Sequence, residues 1–363
     1  MSAPYIIWLD DQAAPNNKLL GGKFSSLGEI TATGTPVPRG FGITTAAYRA
    51  FVAQAGLGAE IQRIRDYAGG TVSADIKGET AALVEAIMTA PLPAALEARI
   101  RENYQSLEQR TGVPNVPVAV RSSGESEDLE GASFAGQYDT FLWICGIDAV
   151  LHQMRRCWAS MFGEAVLSYQ QDGRNVMSRG DFAICVGIQQ MVQARAAGVM
   201  FSLDPINGDR SKIVIEACWG LGEGVVKGDV TPSQFTVDKV SFEIIRRKIN
   251  TQAEEYRFDP AEGGVALVPI EPARQTATCL SDQTVLDLAK LAKRIEQDRG
   301  APQDIEWAVD EAGAIWTLQV RPETVWSRKA GAALLSAAAS PLSHLLTRLS
   351  GVKIVGAAKD GGR

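Results

Sequence analysis

Between Asp304 and Arg321 the chain alternates apolar and polar side chains in two runs separated by Asp310-Glu311-Ala312-Gly313. A period of two commits both runs to strands, because successive strand side chains point to opposite faces, and the turn residues join them as an antiparallel hairpin. With Glu311-Ala312 as the tip, Val309 faces Ala314, Trp307 faces Trp316 and Ile305 faces Leu318. That face is wholly apolar and belongs on a core. The opposite face then carries Asp304, Glu306, Thr317, Gln319 and Arg321. Such a face is either the wet side of an ordinary sheet or a site. The oxygens of Glu306 and Gln319 are the hard ligands that Mg2+ takes, and the fork of Arg321 can grip a phosphate.

Elsewhere the periods are mixed. Helical spacing runs through Tyr48, Phe51, Val52 and Ala55, through Leu92, Leu96, Ile100, Tyr104 and Leu107, from about Asp148 to Tyr169, and from Asp282 to Arg299 before Gly300. Strand patterns occupy Val116 to Arg121, Phe182 to Val192, Val199 to Leu203, Lys212 to Ala217, Gln234 to Val237 and Ile244 to Ile249. The class is α+β. Helices concentrate before about residue 180 and strands after it, which suggests two lobes, residues 1–200 and 201–326. Residues 327–363 read as a basic tail, with six cations against the single acid Asp360.

Several smaller motifs suit phosphate. Gly21-Gly22-Lys23 precedes a helix-like stretch from Phe24 to Ile30 and offers mobile backbone beside a point charge. It is not a Walker loop, which wants glycine at Asn17 and Ser or Thr at Phe24. As a lone motif it is more often just a turn, since glycine is the default turn residue. Arg121 ends an apolar strand and opens a run to Asp128 that is too polar for a core, and Gly131 to Gln137 could cover a triphosphate with backbone N–H groups. Gly220-Leu221-Gly222-Glu223-Gly224 fails the dinucleotide spacing and reads as a connecting loop.

A net charge of -6 disfavours a nucleic-acid partner. Cys145, Cys157, Cys185, Cys218 and Cys279 form no C-x-x-C pair and read as reduced, buried thiols. The N-terminus lacks a basic region before its short apolar patch, and no stretch reaches membrane-spanning length, so the expected location is the cytoplasm, with no membrane partner. The only histidines are His152, beside the apolar stripe of its helix and read as structural, and His344 in the tail. No hydrolase motif accompanies either.

Taken together, GGKFSSLGEI, PVPRGFGITTAAYRAF, VAVRSSGESEDLEGASFAGQYDTFL, CWASMF, GVMFSLDP and DIEWAVDEAGAIWTLQVRPETVW resemble the nucleotide-binding domain of the phosphoenolpyruvate synthase and pyruvate phosphate dikinase family, an ATP-grasp relative. They run in family order from Asn17 to Trp326. The resemblance implies an ATP-grasp-like fold of two lobes with ATP and Mg2+ as cofactors. It places Lys23 and Arg121 on the ATP phosphates, the loop around Gly136 and Thr140 over them, and Gln189, Met191 and Val192 along the adenine. Glu306 and Gln319 would hold Mg2+, and Arg321 would contact the terminal phosphates.

Enzymes of this family turn ATP into AMP, phosphate and a phosphohistidine on a swivelling domain, and the family's T-x-H segment has no counterpart in this chain. The resemblance therefore implies a split enzyme in which a partner subunit supplies the histidine and hosts a small-molecule acceptor. The ATP-binding subunit of phenylphosphate synthase is most similar in size and content. The alternatives are the nucleotide-binding part of a phosphoenolpyruvate synthase-like enzyme with another acceptor, a stand-alone small-molecule kinase, and an ATP sensor. The tail, at net +5, would either dock the partner or be a frayed terminus.

Overall fold

A computed structural model describes residues 3–68, 76–124, 140–163 and 183–326. The loop containing Gly136, the helix expected beyond residue 163, His344 and the whole basic tail lie outside the described residues.

Two antiparallel sheets carry the fold. The first comprises β1 (Ile6–Trp8), β2 (Gly40–Ile43), β3 (Val118–Gly124), β4 (Thr140–Ile144) and β5 (Ile184–Gln190) in the order β1-β2-β5-β3-β4. The chain then enters β6 (Ala194–Phe201) and continues through β7 (Lys212–Trp219), β8 (Ser233–Asp238) and β9 (Ile244–Lys248). A separate hairpin of β10 (Glu254–Asp259) and β11 (Gly264–Pro269) follows. With β12 (Gln303–Asp310) and β13 (Ile315–Pro322) the second sheet runs β13-β12-β6-β7-β8-β9. The class is α+β as expected. The chain divides at Pro322 into two compact units, and both sheets lie in the first.

Each sheet has its own core. The helices Thr45–Ala55, Ala94–Thr111 and Ile147–Ser160 cover the first sheet, with Phe51 stacked on Trp158 at 5.0 Å. The stripe Leu96, Ile100, Tyr104 and Leu107 is buried as its spacing requires. Against the second sheet the Asp282–Arg299 helix buries Val285, Leu288, Ala292 and Ile295. Ser281 caps its start through the Thr284 amide, and Gly300 ends it at φ +70°. The Gly21–Ala32 helix serves both halves: Phe24 and Leu27 pack with Leu20 and Cys185, while Ile30 joins the core of the second sheet.

The closing hairpin differs from its expected register. Gly313 stands at φ +88° and its amide donates to Asp310 O, while the Asp310 amide donates to Ala314 O. The connection is thus a three-residue loop rather than a two-residue tip, which glycine in the left-handed region permits. A bulge opposite the Glu306–Trp307 step shifts the pairing by one more residue. Ile305, Trp307 and Val309 therefore face Val320, Thr317 and Ile315. Thr317 moves from the expected polar face to a fully buried place opposite Trp307, and Trp316 leaves the expected apolar face to donate from Nε1 to Asp310.

Two further expectations fail. Ser122 and Ser123 continue β3 and are buried despite the polarity of their surroundings in sequence, because the Ser123 hydroxyl finds backbone partners. His152 lies on the exposed side of its helix. The helices Gly58–Ala68 and Ile76–Thr89 and the hairpin β10-β11 add to the expected set. Among the described residues no single helix is long and apolar enough to cross a membrane.

Candidate functional site

Lys23 owes its place to a helix that begins at Gly21, three residues before the helix-like stretch in the sequence. Asn17 caps a short 3-10 turn at Lys18–Leu20 by accepting from the Leu19 amide, and the Gly21–Ala32 helix follows directly. Gly21 has φ +64°, and a Cβ there would lie 2.2 Å from Ser123 O, so the helix start rests on β3 in a way that glycine permits. Ser123 fastens the contact: its Oγ donates to Leu20 O at 2.8 Å and accepts from the Phe24 amide at 3.2 Å. On the other side Ser26 donates to Val320 O at 2.8 Å, tying the same helix to β13. Lys23, half-buried in the first turn, thereby sits where the helix dipole is positive and the turn itself holds no acidic residue. Both features favour an anion.

Arg121 is the centre of the site. Its Nη2 donates to Gln319 Oε1 at 2.9 Å and to Glu306 Oε2 at 3.2 Å. Its Nη1 donates to Leu318 O at 3.1 Å and to Gln189 Oε1 at 3.4 Å. Four expected site residues thus converge from β3, β5, β12 and β13. The carbonyl of Leu318 was not foreseen; the bulged residue sits beside the register break that leaves Glu306 directly opposite Gln319. Arg121 and Glu306 are only 15% and 19% exposed, so their charges interact with little screening by water. Gln189 is 2% exposed, and among the described residues its buried Nε2 finds no acceptor.

Gly136 lies outside the described residues, while Thr140, Arg321, Met191 and Val192 stand on β4, on β13 and just past β5. Thr140 pairs with Arg121 across β3 and β4 and is exposed. Arg321 faces Asp304 across the hairpin and donates to it from Nε at 2.8 Å, a pairing that the corrected register creates. Two residues along from Gln189, the Met191 amide donates to Pro117 O, and Met191 and Val192 line a cavity of about 330 Å³. Trp143 and Trp316 also line it, two aromatic residues that sequence reading did not nominate. Trp143 stands at φ +60°, unusual for a bulky residue, and stacks on Phe258 at 5.2 Å. A flat, largely apolar group such as a nucleobase suits this cavity.

The Glu306 and Gln319 oxygens both accept from the same nitrogen of Arg121, so they converge on one point. Among the described residues no group of three or more His, Cys, Asp and Glu side chains is placed to share a metal ion. One carboxylate and one amide oxygen nonetheless fit Mg2+, which takes few protein ligands and completes its shell with phosphate oxygens and water.

The sequence pattern of the pyruvate phosphate dikinase AMP/ATP-binding domain family matches residues 17–340. The chain is 37% identical over 357 residues to a phosphoenolpyruvate synthase of Aeropyrum pernix, covering 91% of this chain and 43% of that one. Similarity to the phosphoenolpyruvate synthase of Pseudomonas aeruginosa is 38% over 340 residues, covering 89% and 42%. The prodigiosin synthesizing transferase PigC of Serratia marcescens is 39% identical over 309 residues, covering 85% and 32%. The chain therefore spans less than half the length of these relatives. Among solved structures, an L-amino acid ligase from Bacillus licheniformis aligns over 68% of this chain and 48% of its own at 15% identity, with a TM-score of 0.23.

Proposed function

This chain belongs to the family of pyruvate phosphate dikinase AMP/ATP-binding domains, and from that premise we propose that it is the ATP-binding part of a dikinase-type phosphotransferase. ATP is cleaved to AMP and phosphate, with the β-phosphoryl group passing to a histidine on another domain or a partner subunit and water taking the γ-phosphoryl group. The observation that carries this reading is the convergence of Gln189, Glu306 and Gln319 on the guanidinium of Arg121. Such a cluster supplies what phosphoryl transfer needs, which is positioning and charge neutralisation.

Each residue then has a task. Lys23 and the start of its helix bind the phosphates, and Arg321 neutralises charge at their far end. Arg121 holds its donors ready by resting on Glu306 and Gln319. Glu306 and Gln319 would hold Mg2+, which supplies charge neutralisation between phosphate oxygens when bound. Met191, Val192 and the two tryptophans seat the base and exclude water from it. Gln189 steadies Arg121 by accepting from its Nη1.

The names of the relatives favour pyruvate as the final acceptor, in a phosphoenolpyruvate synthase-like enzyme. Phenol, as in phenylphosphate synthase, rests on the likeness to that enzyme's separate subunit. A cytoplasmic setting accords with the buried thiols of Cys157, Cys185, Cys218 and Cys279, which a reducing compartment keeps reduced, whereas Cys145, expected to be buried, is exposed. The basic residues 327–363 are proposed to steer docking of the histidine-bearing partner.

The test incubates the chain with Mg2+ and ATP labelled at the β or the γ phosphate, with and without the histidine-bearing domain of a phosphoenolpyruvate synthase. Formation of AMP, with β label on the histidine and γ label released as phosphate, is expected. Formation of ADP by the chain alone, or failure to bind ATP, overturns the reading.

A further inference from the structure

Beside the entry into the second sheet lies a small polar cavity of about 50 Å³ that the nucleotide chemistry does not use. Arg195 on β6, Arg257 on β10 and Arg274 on the Pro272–Gln275 helix line it, together with Gly220 and Glu255. Glu255 is buried and pairs with Arg257 and with Arg274, each at 3.5 Å. Arg274 is further held with its guanidinium over the Trp219 ring, 4.2 Å from its centroid. Arg195 is different. Among the described residues no carboxylate pairs with it, and its Nε is buried with no acceptor. A buried donor left unmade is costly, the more so on a charged group.

The glycine-rich turn after β7, which the sequence offers only as a connecting loop, builds this cavity. Gly220 stands at φ +68°, and a Cβ there would lie 2.4 Å from Tyr256 O and 3.3 Å from a Glu255 carboxylate oxygen. Only glycine lets the turn run against β10 at this point. Three cations thus converge on a space that holds one buried carboxylate, with Glu311 exposed at its rim. The cavity exceeds the roughly 30 Å³ share of one water yet is far too small for an organic ligand.

We infer that this cavity is an oxyanion site for a ligand of the phosphate class, held by Arg195 and Arg274 with Arg257 at the edge. Planar guanidinium forks recognise tetrahedral oxyanions through paired hydrogen bonds, and among the described residues no carboxylate competes for the fork of Arg195. Glu255 keeps Arg257 and Arg274 from folding away while cancelling only one of the three charges. The cavity shares Trp143 and Gln193 with the apolar cavity beside Met191, so the two sites are neighbours but do not share an arginine.

The test is calorimetric titration of the full chain with inorganic phosphate at constant ionic strength, with sulfate and acetate as parallel arms. Arg321→Ala removes an arginine of the nucleotide site and so separates phosphate bound there from phosphate bound by the arginine cavity. Saturable one-to-one binding of phosphate and sulfate is expected, retained in Arg321→Ala and weakened about tenfold or more in Arg195→Gln and in Arg274→Gln. Without phosphate, Arg195→Gln should melt no lower than wild type, since it removes an unpaired cation, yet it should lose the rise in melting temperature that phosphate gives. The inference is overturned if binding disappears in Arg321→Ala but survives in Arg195→Gln, if acetate binds as well as phosphate, or if no saturable binding occurs.

Discussion

Replacing Glu306 by alanine separates the two tasks assigned to that carboxylate. In the free protein it accepts from Arg121 at 3.2 Å, with the pair 15% and 19% exposed. Exposed ion pairs contribute at most about 1 kcal/mol, whereas breaking a fully buried pair costs about 3–5 kcal/mol. This pair lies between those limits, and Arg121 keeps Gln319, Leu318 and Gln189 as acceptors. A loss of about 2 kcal/mol follows, lowering the melting temperature by roughly 4 °C for a unit of this size. Nucleotide binding should move oppositely when Mg2+ is removed by EDTA. Without the carboxylate there is less negative charge facing the phosphates, and Arg121 is freer to turn to them. Metal-free ATP should therefore bind Glu306→Ala several-fold more tightly than wild type, since about 1 kcal/mol corresponds to about fivefold. With Mg2+ present, AMP formation should be lost. Differential scanning calorimetry, titration in EDTA and product analysis measure the three effects. An unchanged melting temperature together with wild-type AMP formation would refute both tasks.

Gly21→Ala should destabilise the fold by about 2 kcal/mol or more and weaken ATP binding, because the added Cβ would push the helix start bearing Lys23 off Ser123 O; urea unfolding and ATP titration check both. For Gln189→Met, which conserves volume, the stability change should stay within about 1 kcal/mol, because the lost 3.4 Å bond to Arg121 is offset by removal of the unmet Nε2. Its KM for ATP should nevertheless rise, and an unchanged KM would remove Gln189 from the site. Burial pushes the Cys218 and Cys279 thiols up to about 12. The unfolded chain loses these protons near pH 9 while the folded chain keeps them, so their contribution is intact below about pH 9. It falls by up to about 1.4 kcal/mol per pH unit for each thiol as pH rises toward 12. Unfolding measured between pH 8 and 10 should be less pH-dependent in Cys218→Ala than in wild type, and equal slopes would contradict the burial argument.

The parts of this fold legible in the sequence are those decided by local period. The Asp282–Arg299 helix carries its own cap at Ser281 and its own stop at Gly300, and the alternation of Asp304 to Arg321 marks two strands without reference to anything distant. Register is another matter. A loop longer by one residue and a bulge beside Leu318 are decided by what the hairpin packs against, including the bond from the Thr317 amide to Pro36 O. No pattern within eighteen residues can report that. The same limit hid Ser123, whose hydroxyl is satisfied by a helix about a hundred residues earlier in the chain. It also hid Trp143, whose positive φ leaves no mark in composition. Glu306 and Gln319 survived the register error because both were assigned to the polar face. In the corrected register a two-residue shift preserves face, so the error changed partners rather than sides. Past the bulge the shift is only one residue, and there Thr317 and Trp316 exchanged sides. The bulge therefore decides side-chain partners as well as topology. It sets Glu306 against Gln319 and Asp304 against Arg321, and it turns the Leu318 carbonyl toward Arg121, so a regular hairpin with the same residues would not assemble this acceptor set.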